Sequence, residues 1–265
     1  MTLVWKSGYS FDSDASTYID AVETADGQAL ETGVRVAIND FVLGCKQDGI
    51  WNAIKASCIL AGARTLDGAL VPLTGGAPTN NNFVSGDYDR ETGLVGNGST
   101  KYLDSNRNNN ADPQNNRHTA VYAFSRNTET GVRAYIRATF QAGVGATQIL
   151  SGAVSQKISS RCSDDTTTSS SGNLHSSNGF FGISRSLSGS YAARGSGIDE
   201  TITQTSIAPG NGDYLVFAGN NVSAGIIDLY SDARLSFYSI GESLDLALLD
   251  TRVSNLMTAI GAAIP

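Results

Sequence analysis

Histidine is scarce in this chain, with only His118 and His175 among 265 residues. Neither stands at a telling spacing from a nucleophile or a carboxylate, so the usual neutral-pH proton shuttle has no visible partner. GxSxG and HExxH are absent as well, which removes the two commonest hydrolase signatures from consideration. Cysteine is limited to Cys45, Cys58 and Cys162. An odd number with no close pair argues against a disulfide framework or zinc site, and for buried small side chains. No apolar run reaches the roughly eighteen residues of a membrane span, and Asp12 and Asp14 stand where a leader would carry basic residues. Neither a span nor a signal peptide is expected, and without secretion the glycosylation patterns at Asn97-Gly98-Ser99 and Asn221-Val222-Ser223 carry no meaning. Charged residues are only 16% of the chain, the formal net charge is -7, and no basic block is present. Nucleic acid is therefore excluded as a partner, because a nucleic-acid groove needs clustered Lys and Arg.

What the chain has in quantity is glycine, 29 residues against 5 prolines, together with Ser, Thr and Asn. This composition suits many short strands and turns around one sizeable core. Two helices precede them. The first spans 14–25, with Tyr18, Ile19 and Val22 on one side; the second follows Leu30, Val34, Ala37, Ile38, Phe41 and Cys45 at three- and four-residue steps until Asp48-Gly49. One or two further helical turns with Trp51 and Ile54 lead to a first strand at 58–63, and 67–91 has loop and turn chemistry. In LVGNGSTKYLDS (94–105), Asn97-Gly98 predicts a hairpin turn, since both residues tolerate positive φ. A P-loop reading of Gly93 and Gly98 fails because Lys101 arrives after Ser99 and Thr100, and a strand follows instead of a helix. Residues 105–117 are nearly devoid of apolar side chains and predict an exposed loop, and 163–178, with Asp164 and Asp165, predicts another. Between 118 and 240 ten short strand patterns recur, which means an antiparallel sandwich or barrel. Leu246, Leu249, Val253, Leu256, Met257 and Ile260 then form a helical stripe behind a Ser243 cap. The expected division is a helical segment over 1–57, a β-sandwich over 58–242 and a helix over 243–265. That last helix packs on the sandwich or at an oligomer interface, where Leu246, Leu249, Val253 and Leu256 are the candidate contacts.

Candidate chemistry is thin. Asp87 with Asp89, or Asp164 with Asp165, could be a glycosidase pair, but alternating or adjacent acids are commonplace on solvated faces. Asp87, Asp89, Asp104 and Asp112 could offer calcium ligands, without EF-hand spacing. No catalytic, cofactor-binding or metal residue is assigned, and the expectation is a protein that is not an enzyme. Aromatic residues recur through the β region, among them Tyr102, Tyr122, Tyr135, Tyr214 and Tyr230, and most should alternate into the core. Tyr88 and Tyr191, beside turn residues, are the candidate glycan contacts.

Three segments, GNGSTKYLDS (96–105), NNNADPQNNRH (108–118) and RLSFYSIGESLD (234–245), resemble tailed-phage virion proteins, cyanophage ones included. DASTYIDAVE (14–23) and GIWNAIKA (49–56) are similar to their helical lead-in. Where relatives show a PFVGG-like run, this chain has LAGARTLDGALVPLTGG (60–76), a departure that bears on the register of the first strand. The resemblance implies a mainly β chain with an antiparallel jelly-roll, concanavalin- or laminin-G-like β-sandwich. It further implies a structural component of the virion, made in the bacterial cytoplasm: a trimeric capsid cement or decoration protein on the major capsid protein, or alternatively a tail-fibre or tailspike tip that binds a host surface glycan. A polysaccharide-degrading enzyme is the third reading, and it lacks a convincing carboxylate pair.

Overall fold

The computed structural model describes residues 11–127, 131–151 and 156–265. Four α-helices occur among them: α1 (Ser13–Asp26), α2 (Thr32–Gln47), the short α3 (Leu66–Ala69) and α4 (Leu246–Ala263). Asp12 caps α1 by accepting from the Asp14 amide, and Gly27, at φ 68°, closes it. At α4 the cap is Asp245, whose carboxylate accepts from the Ala247 and Leu248 amides, two residues beyond the expected Ser243. Both caps satisfy donors that a first helical turn otherwise leaves unpaired.

The strands in chain order are β1 (Ile54–Ile59), β2 (Thr79–Asn81), β3 (Tyr88–Asp89), β4 (Gly93–Val95), β5 (Tyr102–Asn108), β6 (Arg117–Ser125), β7 (Arg133–Ala138), β8 (Ala146–Ser151) and β9 (Ile158–Asp164). They continue with β10 (Thr168–Ser169), β11 (Gly179–Arg185), β12 (Ser190–Gly195), β13 (Ile198–Thr203), β14 (Asp213–Val216), β15 (Gly219–Asn221), β16 (Ile226–Asp228) and β17 (Arg234–Gly241). They form a mainly β architecture of two sheets. The first runs β13-β12-β11-β6-β17-β4-β3, with β1 also on β17; the second runs β10-β9-β8-β7-β14-β5-β2, with β15 beside β7 and β16 on β15. Pairing within both is antiparallel except where Gly219 lies parallel beside Arg137.

One apolar core, including Leu103, Val121, Ile136, Ile149, Phe181 and Tyr238, fills the space between the sheets. A second lies between the first sheet and the helices, and there Ala120, Phe180 and Phe237 meet Ile19, Val34, Phe41 and Leu249. Phe41 and Phe237 touch edge to face at 5.8 Å. The first sheet is thus buried on both faces, which is why β6 and β17 carry few exposed residues. Gly182 permits the approach of α4, since a Cβ there would come within 2.9 Å of Leu246 Cδ2. No helix packs on the outer face of the second sheet, although toward β7, β8 and β9 that face is buried, with Phe140 over Arg137 and Arg161.

Several expectations are corrected by this arrangement. Leu246, Leu249, Val253 and Leu256 are at most 4% exposed and pack inside the chain, so they are not oligomer contacts. Leu249→Ala is therefore expected to cost about 2–5 kcal/mol by urea denaturation while leaving the mass in light scattering unchanged. The helical segment expected over 1–57 is not set apart from the sandwich, because its core is shared with the first sheet and β1 begins at Ile54, inside that segment. Only Trp51–Ala53 is helical between α2 and β1. Asn97-Gly98 does not close a hairpin: β4 pairs within the first sheet and β5 within the second, so the turn carries the chain across the sandwich. Asn97 holds that crossing by accepting from the Ser99, Thr100 and Lys101 amides. The polar stretch 105–117 is partly internal, since Asn109 and Asp112 are buried around Arg117. Its donors reach Asn109 Oδ1 at 2.8 Å and Thr147 Oγ1 at 3.2 Å. Asp164 is buried too, against Arg185, while Asp165 is exposed as expected.

Candidate functional site

Cross-strand register places one row of side chains on the outer face of the second sheet, buried from Arg161 to Leu215 and open only toward Asp104 and Thr79. Arg161 of β9 pairs with Gln148 of β8, Gln148 with Arg137 of β7, and Arg137 with Leu215 of β14. Leu215 in turn pairs with Asp104 of β5, and Asp104 with Thr79 of β2. Directly opposed residues in antiparallel strands share a face, and their neighbours Leu103, Ile136, Ile149, Cys162 and Val216 point the other way, into the core. Tyr102 and Asn106 flank Asp104 on the same side of β5 by the same alternation.

At the β5 end the Tyr102 and Tyr230 rings lie 6.3 Å apart, tilted by 60°, and both remain partly open to solvent. Asp104 is half-buried beside them. Desolvation holds its carboxyl above the usual carboxylate range, opposed by the Asn106 amide and reinforced by the negative charge of Asp213. Burial likewise raises the Tyr102 hydroxyl, with Tyr230 and Asp104 adding to the effect. Asn106 is exposed, and its amide nitrogen donates to the Ala77 carbonyl at 2.8 Å.

Positive charge gathers at the opposite end. Arg137, only 2% exposed, pairs through Nη1 with Asp228 Oδ1 at 2.8 Å, and Asp228 Oδ2 accepts from Asn221. Burial pushes the Arg137 guanidinium down to about 10, partly offset by Asp228. Phe140 lies over both arginines, its ring centroid 4.0 Å from the Arg137 guanidinium carbon and 4.8 Å from that of Arg161. Thr167 Oγ1 accepts from Arg161 Nε at 2.8 Å and from Gln148 Nε2 at 3.0 Å. Arg137 Nε and Gln148 Oε1 are buried without partners. The face thus runs from an aromatic and acidic end to a basic one.

The residues singled out in the sequence lie elsewhere. Tyr191 is 2% exposed, with its hydroxyl hydrogen-bonded to Ser160 Oγ and Arg185 over its ring, so it is no surface contact. Tyr191 opposes Ile202 across β12 and β13, and the alternation that makes the strand turns this ring inward. Tyr88 is half-buried between the two cores and donates its hydroxyl to the Ala63 carbonyl at 2.8 Å. Asp87 pairs with Lys101, Asp89 accepts from Thr92 and the loop amides, and Asp112 pairs with Arg107. These acids are dispersed, and among the described residues no three His, Cys, Asp or Glu side chains are grouped to hold a metal ion. The partly open tyrosines on the outer face of the second sheet are Tyr102 and Tyr230. Their signal in the sequence is the alternation of Tyr102, Asp104 and Asn106 on one side of a strand, all polar-tipped where a core-facing side would be apolar.

No family model and no curated protein matches the chain. Solved structures do. A Trypanosoma rangeli sialidase mutant displaying trans-sialidase activity is similar over 84% of this chain and 39% of its own, at 12% identity and a TM-score of 0.45. The K499G mutant of NanB sialidase from Streptococcus pneumoniae is similar over 61% of this chain and 26% of its own, at 14% identity and a TM-score of 0.44. The leech intramolecular trans-sialidase is similar over 71% of this chain and 28% of its own, at 10% identity and a TM-score of 0.39. The chain spans between a quarter and two fifths of these three structures. The expectation of a protein that is not an enzyme is corrected by this finding and is withdrawn, since the proteins it is similar to are sialidases and trans-sialidases. Structures this distant pass no residue role to this chain.

Proposed function

We propose that the chain is a structural component of a bacteriophage virion and that the β5 end of the outer face of its nine-stranded sheet binds a saccharide of the host surface. The observation that carries the binding role is the Tyr102 and Tyr230 pair beside Asp104 and Asn106, on the only sheet face the helices leave bare among the described residues. Tyrosine rings offer an apolar surface to the C–H face of a pyranose, and the neighbouring carboxylate and amide suit its hydroxyls. The virion assignment draws on the resemblance of the 96–105, 108–118 and 234–245 segments to tailed-phage proteins. A tail-fibre or tailspike module fits this face better than a capsid cement does, because the apolar stripe that a cement would turn toward the major capsid protein is internal.

A glycan array probed with the intact protein tests the binding role. Tyr102→Ala and Tyr230→Ala are each expected to weaken the retained glycans about tenfold or more, with the circular dichroism spectrum unchanged. An array with no retained glycan, or one indifferent to both substitutions, overturns the reading. Imaging of purified virions tests location: density at the tail or its fibres is expected, and density over the icosahedral shell returns the cement role to first place.

A further inference from the structure

Four shielded carboxylates around the second sheet each have a cation of their own. Asp228 pairs with Arg137, Asp164 with Arg185, Asp112 with Arg107 and Asp87 with Lys101. Asp104 differs. It is half-buried on the outer face, its Oδ1 accepts from the Asn106 amide at 2.9 Å, and among the described residues it has no ion pair. The basic side chains that flank it in sequence, Lys101 and Arg107, are spent on Asp87 and Asp112. A carboxylate that has lost part of its water without gaining a cation is held at a cost, and the upward displacement of its titration by desolvation and by Asp213 expresses that cost.

A second observation stands beside it. The Tyr102 and Tyr230 ring centroids lie 6.3 Å apart with their planes tilted by 60°. A ring attracts a cation within about 6 Å of its centroid, so rings this close can attend one cation together. Both rings are partly open to solvent, and the residues next to Asp104, Thr79 across the strand pair and Asn106 along β5, are exposed, so the wedge is reachable from outside. Tyr102 stands two residues from Asp104 on the same side of β5, near enough that the carboxylate charge helps to raise its hydroxyl.

We propose that Tyr102, Tyr230 and Asp104 take the protonated amino group of an amino sugar, the rings meeting the ammonium and the neighbouring C–H groups and the carboxylate supplying the counter-charge. The proposal rests on the saccharide-binding reading of the same face and names the class of its ligand, a hexosamine that carries no acetyl group. Acetylation turns the ammonium into a neutral amide, which removes both the charge-assisted hydrogen bond to Asp104 and the attraction to the rings. The chain as a whole carries -7 and draws any polycation toward its surface. The contribution of Asp104 therefore has to be separated from that field.

The test compares binding of a glucosamine hexamer and the corresponding N-acetylglucosamine hexamer to the full chain by biolayer interferometry, at physiological salt and at a pH that keeps the sugar amines protonated. The amine form is expected to bind about tenfold tighter, and Asp104→Asn to remove that difference with the circular dichroism spectrum unchanged. Asp213→Asn should reduce it about twofold to threefold. Asp20→Asn, which removes an exposed charge on α1, should leave it as it was. A loss in Asp20→Asn equal to that in Asp104→Asn assigns the preference to the field of the whole chain and overturns the proposal. Equal binding of the two hexamers, lost in Tyr102→Ala but indifferent to Asp104→Asn, also overturns it and leaves the saccharide face standing. An amine preference that depends on Asp104 but survives both Tyr102→Ala and Tyr230→Ala overturns the shared site and the saccharide reading with it. Binding of neither hexamer overturns the amino-sugar proposal, and the glycan array then decides the saccharide reading alone.

Discussion

Replacing Arg185 with methionine is expected to lower the stability of the fold by about 3–5 kcal/mol, measured as the loss of urea midpoint at constant slope. The side chain is fully buried, and its guanidinium donates to the carbonyls of Cys162, Leu187, Ser188, Ser190 and Gln204 and to Asp164. It ties β11 to β9, to the turn before β12 and to the segment after β13. Methionine restores volume but no donor, which leaves buried carbonyls and a buried carboxylate unmet. Asp164 already sits above the usual carboxylate range because of desolvation, with the Cys162 amide and Arg185 opposing it. Without the guanidinium its carboxyl should take a proton more readily in the folded state. The deficit of the variant is therefore largest near neutral pH and narrows as pH falls toward 4. A deficit independent of pH would show that lost packing, not the stranded charge, dominates.

The second large effect is acid sensitivity set by the two histidines. His118 is fully buried, its Nδ1 donating to the Glu242 carbonyl at 2.5 Å and its Nε2 facing Ser239 Oγ at 2.7 Å. His175 meets the Tyr135 hydroxyl through Nε2 at 2.6 Å. Burial depresses both to about 4, from an ordinary 6.5. The folded state thus keeps both rings neutral where the unfolded chain has begun to protonate. Their contribution to stability is complete above about pH 6.5 and is lost as pH falls through about 4, at up to about 1.4 kcal/mol per pH unit for each ring. Urea titrations between pH 7 and 4 should show a slope approaching two protons. Tyr135→Phe should shift the balance at His175 and leave the His118 part unchanged. Below this window the carboxylates held down by partners, Glu31 by Arg90 first and Asp12 by Lys46 first, lose their stabilising charge and add to the decline. A flat profile from pH 7 to 5 would mean that the rings protonate in place.

Much of the fold was legible because periodicity is local. Tyr18, Ile19 and Val22, or Leu246 through Ile260, fall on one side of a helix whatever surrounds them, and the strands from 117 to 241 repeat at the spacing of a sandwich. What Asn97-Gly98 connects was not legible. A turn dipeptide specifies a change of direction, and the choice between returning to the same sheet and crossing to the other is made by pairing with β17 and β14, more than a hundred residues away. The burial of 105–117 and Asp164 was hidden for a related reason. Polar composition predicts exposure only while each polar group is solvated by water, and here Arg117 and Arg185 take over that role from within. The candidate face was invisible as a unit, since Arg161, Gln148, Arg137 and Asp104 come from different strands and meet only by cross-strand register.

The position of β1 has a consequence for how the molecule comes into being. Ile54–Ile59 lies against β17, and Cys58 donates to the Tyr238 hydroxyl across 180 residues of sequence. A growing polypeptide leaves the ribosome with its lead-in helices and β1 already made, yet their lasting partners, β17 and α4, have still to be synthesised. Through that interval the apolar stripe of α2 and the edge of β1 are open to other chains in a crowded cell. Assembly should accordingly be slow and posttranslational, as for topologies dominated by distant pairings, and its yield should improve with lower temperature or added chaperone during expression.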